Sequence, residues 1–258
     1  MMNPRIAAVF LVSTSAWAQP AIAPPQLGFV QDSAGAVRPA YGTAGNFVLG
    51  PAMAGTVVSA AFSASLGLLK TDSSLEALDP QGKRLASMDA APGPALFAFS
   101  PGGTTALAYV ASSRALVEWR GSAFAPLPIN SETIAADDVL AIAFPAPGQA
   151  SLIVQRKDTL WELAVPLEAS GAITQKALIG VHAPVLALPS GDLVYCDTAG
   201  IVVRKPDASE VHIAAALPAN FALRQMNQDW VQLTDLNSSA RFAIRTTPSR
   251  EGFYRLPE

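Results

Sequence analysis

Two histidines, one cysteine and a scatter of single aspartates are the side chains through which this chain could do chemistry. His182 sits in Gly180-Val181-His182-Ala183-Pro184 and His212 in an alternating stretch, neither with a carboxylate or cysteine at metal-ligand spacing. Zinc needs three or four converging ligands, so no metal site is expected. Serine is plentiful, but there is no Gly-x-Ser-x-Gly elbow, and two histidines are a small pool of triad partners. No Gly-rich phosphate loop with a following Lys-Ser/Thr occurs. Asp72, Asp79, Asp137, Asp138, Asp192, Asp197 and Asp235 lack the one-three-five spacing of a calcium loop. Asp137 and Asp138 are adjacent in a strand-entry loop, where neighbouring side chains point apart. Cys196 lies in the apolar run Leu193-Val194-Tyr195-Cys196-Asp197 and reads as a small buried hydrophobe. These residues favour a protein that binds over one that turns over a substrate, with no resident metal or cofactor. The alternatives are an enzyme of hydrolase, lactonase or lyase type working in a central channel, or a structural component of a cell-envelope assembly.

The bulk numbers narrow the partner. Half of the 258 residues are apolar, 14% are charged and the formal net charge is −3. A mean hydropathy of +0.31 is enough for a large core. The 17 basic residues stand singly, so no basic stripe exists to neutralise a phosphate backbone, and nucleic acid is excluded as an expected partner. With one cysteine no intrachain disulfide can form, and the fold must rest on its core.

Residues 1–18 have the layout of a secretory signal peptide. Arg5 supplies the positive region, Ile6 to Val12 the short apolar region, and Ala16-Trp17-Ala18 the small-x-small cut before Gln19. Export to periplasm or medium is therefore expected, with no membrane span in the mature chain. Residues 19–26 carry three prolines and read as a tether. The remaining domain is expected over 27–258.

What must position any site is a pattern that returns about every forty residues. Phe62, Phe99, Phe144, Leu188 and Gln225 end equivalent apolar strands, with spacings of 37, 45, 44 and 37. Phe99, Phe144 and Leu188 run into Ser100-Pro101-Gly102-Gly103, Pro145-Ala146-Pro147-Gly148 and Pro189-Ser190-Gly191-Asp192. Four short strands per period and no sustained 3.6-residue periodicity predict an all-β fold, a single β-propeller of four-stranded blades. Five full units follow Thr56, and strands at 27–32 and 36–41 precede them, with Asn46 to Leu49 a further possible strand. Six blades are favoured, with the N-terminal strands and Gly252–Pro257 sharing the closing blade. The alternative is five blades with an extra N-terminal hairpin. The chain is expected to be monomeric.

The Ser100-Pro101-Gly102-Gly103 turn after Ala98-Phe99 resembles the Ser-Pro-Asp-Gly turn of bacterial WD-repeat-like propellers. The resemblance covers four or five units and implies architecture alone. The Gly-His and Trp-Asp signatures of true WD repeats are absent.

In such a ring the loops between the second and third strands converge on one face. Here they are 71–73, 112–114, 155–158, 197–200 and 234–238, all polar and of both charge signs. Asp72, Arg114, Arg156, Asp158, Asp197 and Asp235 are thus the candidate binding residues, for a protein, peptide or glycan. Trp119 and Trp161, beside Glu118 and Glu162, fall in third strands and are expected to pack between blades.

Overall fold

The computed structural model describes residues 24–53, 55–127, 138–167 and 171–257. The expected signal peptide, the first five residues of the tether, and Asp137 lie outside them. Among the described residues there are 23 strands and no helix. The first blade is β1 (Gln26–Gln31), β2 (Val37–Thr43) and β3 (Asn46–Leu49), so the tether's last residue already belongs to a strand. The second is β4 (Ser59–Phe62), β5 (Gly67–Lys70), β6 (Ser74–Leu78) and β7 (Arg84–Asp89). The third is β8 (Ala95–Phe99), β9 (Ala106–Val110), β10 (Ala115–Trp119) and β11 (Phe124–Leu127). The fourth is β12 (Asp138–Ala146), β13 (Gln149–Arg156), β14 (Thr159–Pro166) and β15 (Thr174–Ala177). The fifth is β16 (Leu186–Ala187), β17 (Leu193–Asp197), β18 (Gly200–Arg204) and β19 (Glu210–Ala214). The sixth is β20 (Phe221–Gln225), β21 (Trp230–Asp235), β22 (Arg241–Arg245) and β23 (Gly252–Arg255). Each blade is an antiparallel meander in sequence order, giving a six-bladed β-propeller whose first blade has three strands.

The period arises because no blade can bury its own faces. Successive side chains of a strand point to opposite sides. In β18, Ile201 and Val203 face the sixth blade while Val202 faces the fourth. The core is accordingly six apolar layers, each between two neighbouring blades. Trp119 belongs to the layer between the second and third blades, with its ring 5.1 Å from Phe124. It is packing, as expected.

The turns behave as their residues dictate, with one difference. In Ser100-Pro101-Gly102-Gly103 the Gly103 N–H donates to Ser100 O at 2.8 Å, and Gly103 takes φ +67°. Its carbonyl accepts Ser65 Oγ at 2.9 Å, tying the third blade to the second. Pro145 and Ala146, by contrast, extend β12, with a register break between Ala143 and Ala146, and the chain reverses at Pro147-Gly148.

The ends of the chain meet, but not in one shared sheet. Gly252–Arg255 pairs with β22 as the outer strand of the sixth blade, and the N-terminal strands form their own blade. The reason is β3: Asn46–Leu49 supplies the outer strand that a shared blade would have borrowed. Closure is instead a seam between β1 and the sixth blade. The Gln31 N–H donates to Gln232 Oε1 at 3.1 Å, and Gln232 Nε2 donates back to Gln31 O at 3.0 Å. Asn227 Nδ2 donates to Leu27 O, and the Phe29 N–H to Met226 O at 3.4 Å. Gly28 permits this approach: at φ +142° an added Cβ would lie 2.5 Å from Met226 O. Phe47, Trp230 and Tyr254 then pack edge-on and tilted across the seam.

This seam leaves the first blade without an innermost strand. β1 is bonded to β21, a second strand, and β20 lies directly beside β4. The inner wall therefore consists of five strands, β4, β8, β12, β16 and β20.

Gln232→Leu leaves the buried N–H and C=O of Gln31 unpaired, and each such group costs about 1–3 kcal/mol. The expected loss is about 2–4 kcal/mol in urea unfolding, while the exposed Gln81→Ala stays within about 0.5 kcal/mol. Equal losses at the two positions would remove the seam from the account of stability.

Candidate functional site

The sheet topology sends the connections between second and third strands to one face, and the predicted residues follow it. Asp72 is in the β5–β6 turn, Arg114 in β9–β10, and Asp158 in β13–β14 with Arg156 at its start. Asp197 ends β17 and Asp235 ends β21. The six are thus distributed around the rim of one face, one or two to a blade.

Each turn is built by its own residues. Asp197 Oδ1 accepts the N–H groups of Ala199 and Gly200 at 2.8 and 3.0 Å. Asp235 does the same for Asn237 at 2.9 Å and also accepts the Ser238 hydroxyl. The Ser238 hydroxyl, followed by the Asn237 N–H, holds the Asp235 carboxyl below its ordinary value. Arg114, Lys157 and Ser239 adopt φ +52°, +55° and +62°, the left-handed residue that closes short hairpin loops. The aspartate-to-backbone bonds of the 197–200 and 234–238 turns hold those two loops in place locally. Arg156 donates to Gln175 Oε1 at 2.6 Å, and its guanidinium carbon lies 6.0 Å from the centre of the Trp161 ring. Asp72 and Asp158 are exposed.

Beneath the Asp72 turn lies a residue that no sequence motif singles out. Lys70 is fully buried, and its ammonium donates to Thr71 O at 2.5 Å and Asp72 O at 3.0 Å. Burial pushes this ammonium below the ordinary lysine range, and the nearby Asp72 charge partly restores it. A buried cation is tolerated only where it is hydrogen-bonded, so Lys70 fixes the loop from below.

His212 is less isolated than its sequence suggests. Strand pairing brings its Nδ1 to 3.7 Å from Asp197 Oδ2 and its Nε2 to 3.5 Å from Glu210 Oε2. Glu210 also accepts the Tyr195 hydroxyl at 2.9 Å. Burial, then the Glu210 bond, pushes the Tyr195 phenol up to about 12. No group of three or more potential metal ligands forms among the described residues. Cys196 is half-buried, and burial pushes its thiol up to about 12, which keeps it a neutral thiol. His182 is exposed in the loop before the fifth blade, 6.4 Å from the Tyr195 ring.

A sixth turn joins the same face. In the first blade, Asp32 Oδ1 accepts the N–H groups of Ala34 and Ala36 at 3.0 and 2.9 Å, and Oδ2 takes Arg38 Nε at 2.9 Å. Asp32 was hidden because strands 27–32 and 36–41 carry no repeat signature. With the blade recognised, Asp32-Ser33-Ala34-Gly35 is the equivalent of the other five loops. Burial pushes the Asp32 carboxyl up, but the Arg38 bond and the two N–H groups outweigh it and hold it below its ordinary value.

No protein-family model matches the chain, and no curated protein matches it. Solved structures do. A chain of a nidogen/laminin complex superposes with TM-score 0.54 and 12% identity, over 88% of this chain and 97% of that one. TolB from Acinetobacter baumannii gives TM-score 0.53 and 12% identity, over 90% of this chain and 66% of that one. The β-propeller domain of Myceliophteria thermophila Cps50 (Swd1) follows at TM-score 0.45 and 9% identity, over 80% and 72%. At these identities the likeness shows the fold alone: the chain is a β-propeller.

Asp32→Ala removes a charged acceptor from two N–H groups and a guanidinium at a half-open site, an expected cost of about 1 kcal/mol at pH 7. Because the folded carboxyl ionises below its ordinary value, this contribution is complete above about pH 4 and fades as pH falls through the folded value. Urea unfolding of both proteins at pH 7 and pH 3 should show the gap narrowing at the lower pH. A constant gap would mean the carboxylate charge is not what holds the turn.

Proposed function

We propose that this protein is an exported, non-enzymatic propeller that binds a protein, peptide or glycan partner through the face carrying the β5–β6, β9–β10, β13–β14, β17–β18 and β21–β22 turns. One observation carries the reading: the charged groups of that face sit on turns braced by their own backbone bonds and, at Asp72, by a buried lysine. Preorganised loops on a rigid scaffold lose little conformational entropy when a partner docks. Mixed charge gives orientation and on-rate more than raw affinity, which suits partner selection. A propeller in a nidogen/laminin complex is one protein of this shape found in an assembly with another. Export rests on Arg5, the apolar stretch from Ile6 and Ala16-Trp17-Ala18.

Protein recovered from the periplasm or medium of an expressing host is expected to begin at Gln19. The same preparation, put on glycan and peptide arrays, should bind a defined ligand class. A variant with Asp72, Arg114, Asp197 and Asp235 all replaced by alanine should lose that binding while keeping its β-sheet spectrum. Binding that survives in the folded variant would refute the assignment of this face.

A further inference from the structure

The five inner strands enclose a central cavity of about 230 Å³. Among the described residues its lining side chains are mostly Ala, Leu, Ile, Val, Pro and Phe, and neither Asp nor Glu lines it. One charged side chain does, Arg224 on β20. Among the described residues Arg224 has no hydrogen-bond or ion-pair partner, unlike Arg38, Arg84, Arg120, Arg204 and Arg241. Its neighbour Gln225, 4% exposed, lines the same cavity, and its Nε2 is a buried donor without an acceptor.

The origin of this arrangement lies in the seam. Arg224 pairs in register with Gln232, whose side chain reaches Gln31 of the first blade. Residues paired across an antiparallel ladder share a face, so Arg224 leaves β20 on the side of the first blade. That blade supplies no innermost strand there, and β4 is the next wall. The missing strand thus leaves room for a long cationic side chain at the cavity, and among the described residues no carboxylate meets it. Burial holds the Arg224 guanidinium below its ordinary value, yet arginine stays charged in proteins. Arg224 is part-buried and its guanidinium keeps access to the half-open cavity, so an anion that enters can pair with it without first displacing a protein partner among the described residues.

We infer that the central cavity is a binding site for a carboxylate with an apolar body, its carboxyl group taken by Arg224 and its body by the apolar inner walls. The planar fork of five N–H donors matches a carboxylate's two oxygens. Ala60, Leu140, Leu186 and Leu223 give the non-polar contact that inorganic phosphate cannot use. The carboxyl group can belong to a free aliphatic acid or end a peptide with an apolar last residue. Both present the same chemistry. This site is distinct from the turns of the outer face and does not depend on their role.

The test is calorimetric titration of the full protein with hexanoate, hexanamide, inorganic phosphate, and a tripeptide ending in leucine as free acid and as amide. Hexanoate or the peptide acid should bind, and its amide counterpart should bind at least about tenfold more weakly, the expected size of losing a charge-assisted bidentate pair. Which acid binds more tightly identifies the source. Arg224→Met should abolish the preference of acid over amide, and Arg224→Lys should keep part of it. The acid–amide comparison on the unaltered protein stands even if a variant misfolds. No binding of either acid, equal binding of acid and amide, phosphate binding as tightly as the acids, or full preference in folded Arg224→Met would each overturn the proposal. The four-alanine variant of the outer turns should bind the acid unchanged, so the two readings fail separately.

Discussion

The constraint on which this structure depends is that each blade has two apolar faces and can cover neither. A strand such as β18, apolar on successive residues, is stable only with a sheet on each side. Stacking solves this for every blade except the first and the last, and a linear stack would leave two apolar faces in water. The ring must close, and everything else follows from how it closes. Here the first and last blades meet through a reciprocal glutamine pair 201 residues apart, a glycine that admits a carbonyl, and a cluster of aromatic rings. Hydrogen-bonding between side chain and backbone replaces the shared sheet that would otherwise fasten the chain ends.

Closing in this way has consequences for the loop face and for the channel. On the loop face it sets a sixth turn, at Asp32, beside the five others. In the channel it deletes one strand from the wall, so that β20 meets β4 and Arg224 is left at the cavity with room but, among the described residues, no counter-charge. The outer turns and the inner cavity are thus two products of one topological choice. The outer turns are stiff and self-satisfied, with Asp197 and Asp235 occupied by their own backbone. The inner cavity is unsatisfied. On the two proposals made above, the turn face would select a partner surface by shape and charge, and the cavity a small anion by its oxygens.

Much of this was legible beforehand. The strands ending at Phe62, Phe99 and Gln225 and the turn Ser100-Pro101-Gly102-Gly103 announced the repeat, because the first strands of five blades, and the Gly-containing turns that follow three of them, are local properties of the residues. Ser74–Leu78, Ala95–Phe99, Ala115–Trp119 and Asn46–Leu49 lie where the residue pattern sets them. What stayed hidden depends on neighbours distant in the chain. Nothing around Gln31 or Gln232 tells of a bond across 201 residues. Lys70 reads as a strand-end lysine facing solvent until the Asp72 turn folds over it, and His212 meets Asp197 only through the register of β17, β18 and β19. Arg224 reads as an ordinary charged residue of the last repeat, and its lack of a partner among the described residues follows from the missing strand.

The central claim is that the three-stranded first blade is part of the ring and not an appendage to five blades. Native-state hydrogen exchange followed by mass spectrometry tests it most directly. If the seam closes the ring, amides of β1 and β21 exchange with the same opening free energy as those of the inner strands β4 and β8, in one cooperative unit. If β1 to β3 exchange together well before the other blades, the first blade is detachable. The ring would then be closed by β20 against β4 alone, contradicting this account of its stability.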